Sequence, residues 1–174
     1  GIGMVFQNYA LFPHMTVAEN LSFPLKVRGM SAGDIQDKVT NALDMVQMRA
    51  FADRKPAQLS GGQQQRIALA RALVFEPELV LMDEPLASLD ATRKDEILRF
   101  IEEFSSSLQI PIIYVSHAMD EIIRLANTMV LVSDGRIAAT GSVEDITSRL
   151  DLRPMTGRYE AGSVIRTKIA DHDK

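Results

Sequence analysis

Short apolar runs that alternate with longer amphipathic stretches predict an α/β protein. The runs Leu79 to Met82, Ile112 to Val115 and Met129 to Val132 are together rich in β-branched residues. Runs of this kind are typical of strands that are buried on both faces of a parallel sheet. Amphipathic stretches from about Ala91 to Leu108 and from Ala118 to Leu125 separate them, so we expect strands and helices to alternate in a doubly wound sheet.

Residues 8–76 follow a helical pattern instead. Thr16 and Glu19 form a capping box, in which a hydroxyl and a carboxylate three residues apart start a helix. Ser60 and Gln63 form a second capping box and predict another helix. Between the two, apolar residues at positions 35, 39, 43 and 46 recur at the spacing of an amphipathic helix.

The pattern changes again in the last third of the chain. Asp134-Gly135 lies between two apolar runs, which predicts a tight β-hairpin. Residues 151–162 contain a proline and two glycines and are interpreted as a linker, and Ser163 to Ile169 alternates like a strand. The predicted organisation is an incomplete α/β core (1–7 and 77–150), a helical subdomain (8–76), and a linker with the start of a C-terminal β module (151–174).

Composition narrows the class of protein. The chain has 174 residues, of which 46% are hydrophobic and 24% charged, as expected for about one soluble globular domain. A net charge of −4 without a dense basic cluster argues against a nucleic-acid partner. No cysteine is present, which excludes disulfides and thiolate metal sites. No apolar run approaches the roughly 18 residues that span a bilayer, so a role at a membrane would need a partner protein.

Polar residues follow three of the predicted strands. Asp83 and Glu84 come directly after Leu79 to Met82. A carboxylate at the end of a buried strand is costly unless it is paired, and Mg²⁺ favours carboxylate, water and phosphate oxygens. Gln7 and His117 also follow apolar runs, at the strand ends where α/β sheets bind ligands. Read in isolation, each of these residues also fits a structural role in a turn or a helix cap.

The residues Ser60-Gly61-Gly62-Gln63 begin the third predicted helix. Backbone N–H groups at a helix N-terminus attract anions, and glycine allows the backbone to approach a phosphate closely. The same four residues taken alone also fit a plain capped helix that follows a turn.

Two strings together resemble the ATP-binding-cassette (ABC) ATPases. Leu59 to Arg66 resembles the signature motif of that family, and Leu79 to Pro85 resembles its Walker B strand. The resemblance covers about residues 1–150 and implies a partial P-loop NTPase sheet with an inserted helical subdomain. It further implies an ATPase that uses ATP and Mg²⁺ and works as a homodimer.

The resemblance also implies roles for single residues. Asp83 and Gln7 would hold Mg²⁺, Glu84 would polarise the attacking water, and His117 would contact the γ-phosphate; Gln7, Glu84 and His117 are the catalytic candidates. Each ATP would be held between two subunits arranged head-to-tail. The residues implied to contact the ATP of the other subunit, or the interface around it, are Ser60, Gly61, Gly62, Gln63 and Asp90.

One family motif does not occur in the chain. The phosphate-binding loop G-x-x-x-x-G-K-[ST] is missing; Gly157 and Gly162 have its spacing, but Ser163 follows them instead of lysine. In the family this loop, and the aromatic residue that stacks on adenine, precede the Q-loop glutamine that Gln7 resembles. We therefore expect an N-terminally truncated piece that binds ATP poorly and is inactive by itself.

The stretch from Phe12 to Asn20 resembles importer ATPases. It implies that integral membrane permease subunits contact the helical subdomain at the cytoplasmic face of the inner membrane. The residues Tyr9, Leu11, Phe12 and Met15 are candidates for lining the contact groove.

The tail from Leu152 to Asp173 resembles the junction between the ATPase of a molybdate importer and its C-terminal oxyanion-binding domain, which favours molybdate as the solute. The alternatives are an importer ATPase for sugars, polyamines or another solute, a soluble ABC-type ATPase that acts on nucleic acid or ribosomes, and a folded fragment that only binds.

Overall fold

The computed structural model describes residues 1–87, 89–108 and 110–152. Its backbone contacts divide the chain into two compact units, Gly1–Ser116 and His117–Lys174. Among the residues so described, no helix is both long enough and apolar enough to cross a bilayer. The predicted linker and β module fall almost wholly within residues 153–174, outside the described part of the chain.

A three-stranded parallel sheet lies in the first unit. Its strands are β1 (Ile2–Val5), β2 (Leu79–Asp83) and β3 (Ile112–Val115), in the order β1-β2-β3. The predicted α/β class is confirmed, since β2 connects to β3 through a long helix as a parallel pair requires. The carboxyl ends of the three strands consequently lie at one edge of the sheet.

The two faces of this sheet differ in burial. On one face Val5, Val80 and Met82 are almost completely buried. On the other face Ile113 and Val115 are each 51% exposed. The expectation that these runs are buried on both faces is therefore wrong, because alternate side chains point to opposite faces and the described helices cover only one of them.

The helices of the first unit begin where the sequence predicts. The hydroxyl of Thr16 accepts a hydrogen bond from the backbone N–H of Glu19, whose carboxylate accepts one from the backbone N–H of Thr16. Ser60 and Gln63 form the same reciprocal pair. The helices are α1 (Val17–Val27), α2 (Ala32–Met45), α3 (Gly61–Leu73) and α4 (Ala91–Leu108), with 3₁₀ turns at Arg49–Phe51 and Pro56–Gln58.

The first three helices share an apolar core. Leu21 and Leu25 of α1, Val39 and Leu43 of α2, and Ile67 of α3 are buried in one cluster. The spacing of these residues places them on one face of each helix, which explains why this part of the chain folds as a helical layer. The amphipathic pattern predicted for α2 is thus confirmed.

The second unit contains an antiparallel hairpin packed on short helices. Asp134 and Gly135 both have positive φ, 50° and 70°, as the two-residue hairpin turn requires. Met129 and Ile146 belong to its small apolar core. Its elements are α5 (Met119–Leu125), β4 (Thr128–Ser133), β5 (Arg136–Ser142), α6 (Val143–Ser148) and a 3₁₀ turn at Leu150–Leu152.

One strand assignment requires correction. The apolar pattern predicts that Met129 to Val132 extends the parallel sheet, but β4 pairs antiparallel with β5 in a separate two-stranded sheet. The two-residue turn at Asp134-Gly135 brings β5 next to β4 at a small cost in chain entropy, whereas pairing β4 with β3 would need the longer crossover through α5.

Candidate functional site

The carboxyl edge of the parallel sheet carries three of the predicted site residues. Asp83 is the last residue of β2 and pairs with Val115 of β3. Glu84 follows it directly, and Gln7 lies two residues beyond the end of β1. The parallel register therefore brings Gln7, Asp83 and Glu84 to the same edge, with Asp83 and Gln7 exposed and Glu84 half-buried.

Glu84 has an unusual backbone conformation. Its φ is 42°, in the left-handed region that non-glycine residues rarely adopt. Its backbone N–H donates a hydrogen bond of 2.9 Å to the carbonyl oxygen of Val115 in the neighbouring strand. This bond fixes the first peptide after β2, and the chain turns away from the sheet at the carboxylate predicted to polarise water.

The segment around Gln7 forms a tight turn. The backbone N–H of Tyr9 donates to the carbonyl of Phe6 at 2.9 Å, so Gln7 lies in the middle of the turn. Tyr9 and Ala10 follow with φ values of 61° and 46°. The guanidinium of Arg71, in the last turn of α3, donates to the carbonyls of both residues, at 3.0 and 2.8 Å.

The next residues are held by a buried asparagine. The side-chain oxygen of Asn20 accepts from the backbone N–H of Phe12 at 2.8 Å. Its amide nitrogen donates to the carbonyls of Phe12, Met15 and Thr16 at 3.2, 3.4 and 2.9 Å. Asn20 is fully buried, so these bonds satisfy its amide and fix the route from the Gln7 turn into α1.

The start of α3 is the second part of the candidate site. The hydroxyl of Ser60 accepts from the backbone N–H of Gln63 at 3.3 Å, and the Ser60 N–H donates to the Gln63 side chain at 2.9 Å. A Cβ on Gly61 would lie 3.3 Å from the side chain of Leu89, and one on Gly62 would lie 3.8 Å from Ile97. The contact at Gly61 is therefore tight, whereas the one at Gly62 is an ordinary van der Waals distance.

Asp90 has the capping role that its position allows. Its carboxylate accepts a hydrogen bond of 3.1 Å from the backbone N–H of Arg93, in the first turn of α4, and pairs with the Arg93 guanidinium at 3.4 Å. Ser88, two residues before Asp90, lies outside the described residues.

His117 belongs to the second unit. It is exposed and is the first residue of that unit, just before α5. The other predicted site residues all lie in the first unit.

The oxygen donors at the sheet edge fit a magnesium site that is completed by other ligands. Within the described ranges no group of three or more His, Cys, Asp or Glu side chains forms a metal cluster. Mg²⁺ is usually bound through one or two carboxylates, and phosphate and water supply its other ligands. Asp83, with the side-chain oxygen of Gln7, offers a donor set of that kind.

An apolar groove opens beside the Gln7 turn. It has a volume of about 350 Å³ and carries the partly buried guanidinium of Arg71 at one side. Burial lowers the pKa of Arg71 from its ordinary value. Phe12 packs on Phe23 with ring centroids 4.8 Å apart. The residues that line the groove are Met4, Phe6, Ala10, Phe12, Phe23, Pro24, Arg71, Ala72 and Phe75.

The four residues predicted to line a contact groove do not all lie at this groove. Of Tyr9, Leu11, Phe12 and Met15, only Phe12 lines the groove among the described residues. Tyr9 is 7% exposed and Leu11 packs against the helical core, so both are core residues.

Sequence reasoning missed Arg71, Asn20 and Gln65. In the sequence, Arg71 looks like an ordinary cation near a helix C-terminus, and Asn20 looks like a polar residue near a helix start. Gln65 is fully buried in α3, and neither atom of its side-chain amide has a hydrogen-bond partner within the described part of the chain. A polar residue at an otherwise apolar helix position is the one signal that indicates Asn20 and Gln65.

The chain belongs to the ABC transporter family, whose sequence profile matches residues 1–87. A solved structure of the same class, the ATP-binding cassette MJ0796 in a dimeric post-hydrolysis state bound to ADP and Pi, superposes with a TM-score of 0.69 at 31% identity. That match covers 82% of this chain and 62% of the other.

Among curated proteins, the chain is similar to molybdenum import ATP-binding proteins. It is 44% identical to that of Paramagnetospirillum magneticum and 46% identical to that of Rhodospirillum rubrum, each over 99% of this chain. These matches cover 47% and 46% of the two relatives, so the chain spans about half the length of the curated proteins that it matches.

Proposed function

We propose that this chain is part of the ATP-hydrolysing subunit of an ABC importer. The observation that carries the proposal is the edge of the parallel sheet, where Asp83 ends β2, Glu84 follows it directly and Gln7 lies two residues beyond β1. Membership of the ABC transporter family supports it. Residues 1–7 and 77–150 then form the catalytic domain, with residues 8–76 as its helical subdomain.

The chemistry of the site follows from the oxygen donors and their positions. When bound, Mg-ATP supplies the phosphoryl group to be transferred and the metal charge that offsets its negative charge. Asp83 and Gln7 would hold the metal through their side-chain oxygens. Glu84 accepts the proton of the attacking water, and His117 orients the γ-phosphate and that water.

The start of α3 serves a second copy of the subunit. Ser60 is exposed at the N-terminus of this helix, where negative charge is favoured. Ser60 to Gln63 therefore contact the γ-phosphate of ATP held mainly by the partner subunit, and Asp90 lies at the same interface. The dimeric state of the structurally similar MJ0796, which is bound to ADP and Pi, supports assembly as a dimer.

We assign the groove beside Arg71 to membrane permease subunits, which place the protein at the cytoplasmic face of the inner membrane. The groove is apolar, with aromatic side chains on several sides, as a docked amphipathic helix requires. Molybdate is the favoured solute because the relatives at 44% and 46% identity are named as molybdenum import proteins.

The test of hydrolysis uses Glu84→Gln in the full-length protein. Removing the general base lowers kcat by about 10²–10⁴-fold while ATP binding persists. The matched control is Glu78→Gln, the same change at the opposite, exposed end of β2. Normal turnover in Glu84→Gln, with ATP hydrolysis intact in the control, would remove Glu84 from its role.

Two further measurements test the proposal's scope. Titration calorimetry with Mg-ATP, on the 174-residue chain and on the full-length protein, should show binding by the full-length protein only; equal binding by the short chain contradicts our account of the phosphate site. Uptake of labelled molybdate in cells that depend on this subunit tests the solute, and transport of a sugar or polyamine in its place would overturn that assignment.

A further inference from the structure

The conformation of the Gln7 turn depends on a contact from the far end of α3. Tyr9 and Ala10 both occupy the left-handed region, although neither is glycine. Two consecutive residues of this kind persist only where the surrounding structure holds them. The described contacts that hold them include the two hydrogen bonds from Arg71 to their carbonyl oxygens.

Arg71 is well suited to this task. Its planar guanidinium donates from two nitrogens to two adjacent carbonyls, whereas a lysine ammonium would have to reach both from a single nitrogen. The side chain is partly buried, and its charge lies 5.5 Å from the ring centroid of Phe12. Hydrogen bonds that involve a charged donor in such surroundings are stronger than neutral ones.

The same helix contains the residues assigned to the partner's ATP. α3 begins at Gly61 and has Arg71 in its last turn, so about 15 Å of one rigid rod separates them. A displacement of its first turn, when a second subunit closes on ATP, is therefore transmitted to the carbonyls of Tyr9 and Ala10.

We propose that Arg71 is a positioning residue for Gln7, which fixes the turn after β1 and links it through α3 to the Ser60–Gln63 end. This inference rests on the proposed function, because Gln7 acts there as a ligand of Mg²⁺. Arg71 itself touches neither nucleotide nor water in this role.

The experiment measures ATP hydrolysis by full-length Arg71→Met. The methionine keeps an apolar stem but removes both donors. We expect kcat to fall about 10- to 100-fold, as for a misplaced catalytic group. The Mg²⁺ concentration for half-maximal rate should rise, and KM for ATP should change less than about twofold because the phosphate-contacting residues are intact. Arg71→Lys should give a smaller loss.

The matched control is Arg49→Met, which removes an exposed arginine that pairs with Asp44. It should leave kcat and the Mg²⁺ dependence unchanged. If Arg71→Met retains normal kcat and normal Mg²⁺ dependence, the positioning role is wrong.

A second variant separates positioning from stability. Ala10→Gly, added to Arg71→Met, lowers the cost of the left-handed backbone because glycine adopts it freely. If Arg71 acts by holding this backbone, the added glycine should recover part of the kcat and of the Mg²⁺ dependence lost in Arg71→Met. Recovery of thermal stability with no recovery of kcat would show that Arg71 does not act through the conformation of the turn. If the unsubstituted full-length protein does not hydrolyse ATP, the proposed function and this inference are both overturned. If it hydrolyses ATP and the Arg71→Met variant is equally active, only the inference is overturned.

Discussion

The start of α3 and the carboxyl edge of the sheet are built by different kinds of contact. At the start of α3 the important hydrogen bonds join Ser60 and Gln63, three residues apart. At the sheet edge they join segments distant in sequence, as between Glu84 and Val115. One part of the candidate site is therefore specified locally, whereas the other exists only when the tertiary structure has formed.

The backbone shows the same difference. Ser60 has ordinary extended dihedral angles, with φ −68° and ψ 161°. Glu84, Tyr9 and Ala10 all have positive φ. A conformation of this kind costs on the order of 1–3 kcal/mol for each residue, and packing elsewhere must offset that cost. The sheet edge should therefore respond to distant substitutions more strongly than the start of α3 does.

The largest expected effect on stability comes from a substitution that forces β1 and α3 apart. A Cβ on Gly3 would overlap the carbonyl oxygen of Ala72, so Gly3→Ala should lower the free energy of unfolding by about 3 kcal/mol. Gly33→Ala is the control, because its nearest neighbour is 4.0 Å away and alanine favours helix. Urea unfolding of the 174-residue chain measures the free energy of unfolding of both variants. Equal values would show that β1 and α3 tolerate the displacement.

Gln65 tests whether burial or position in the sequence decides how strongly a substitution affects stability. It lies one helical turn beyond Gly61, yet its amide is buried without a partner among the described residues. Gln65→Leu keeps the volume and removes the unmet polar group, so we expect stability to rise by about 1–2 kcal/mol.

The control for Gln65 is its neighbour. Gln64 donates a hydrogen bond of 3.2 Å to the carbonyl of Leu59, and Gln64→Leu should give no gain. A loss of stability in Gln65→Leu, measured in the same urea titrations, would indicate that the amide has a polar partner.

Loss of the local cap should have a smaller effect. Ser60→Ala removes the acceptor for the Gln63 N–H and should cost about 1 kcal/mol. If the two regions are independent, the cost should add to that of Gly3→Ala within about 0.5 kcal/mol. A larger coupling energy in the double variant would show that the two regions are not independent.

The smallest expected effect is a pH dependence of the capping box in α1. The hydrogen bond from the Thr16 backbone lowers the pKa of Glu19 below its ordinary value of 4.5, despite a smaller opposing effect of desolvation. Because the folded state binds the proton less tightly, this stabilisation is present above that value and is lost as the pH falls below it. Glu19→Gln keeps an acceptor for the Thr16 N–H. The unfolding midpoint of this variant should therefore fall less than that of the unsubstituted protein between pH 5 and 3 (about the range in which carboxyls titrate). Parallel slopes for the two proteins would contradict the assignment.

The same division explains how much of the fold can be predicted from sequence. The capping boxes at Thr16 and Ser60, the turn at Asp134-Gly135 and the bounds of α4 depend on residues close together in the chain, and all of them are confirmed. The strand at Met129 to Val132 is also confirmed, but the sheet predicted for it is wrong, because strand pairing is a tertiary property.

The contacts of Arg71 and the burial of Gln65 lie beyond prediction for the same reason. Nothing near Arg71 in the sequence indicates that Tyr9 and Ala10 will lie within hydrogen-bond reach. The motif residues Gln7, Asp83 and Glu84 are found through resemblance and strand-end position. Their meeting at one edge follows from the register of β1 and β2, which only the fold supplies.

The pairing of β1 with β2 has a consequence during synthesis. Ile2 lies opposite Leu79, so the first strand leaves the ribosome long before its neighbour is made. At the usual rate of translation this delay is roughly 4–15 s. Throughout that time the apolar stretch from Ile2 to Phe6 lacks its β2 partner, while α1 and α2 can already pack on each other. The side of β1 that pairs with β2 therefore stays unpaired until β2 has been translated.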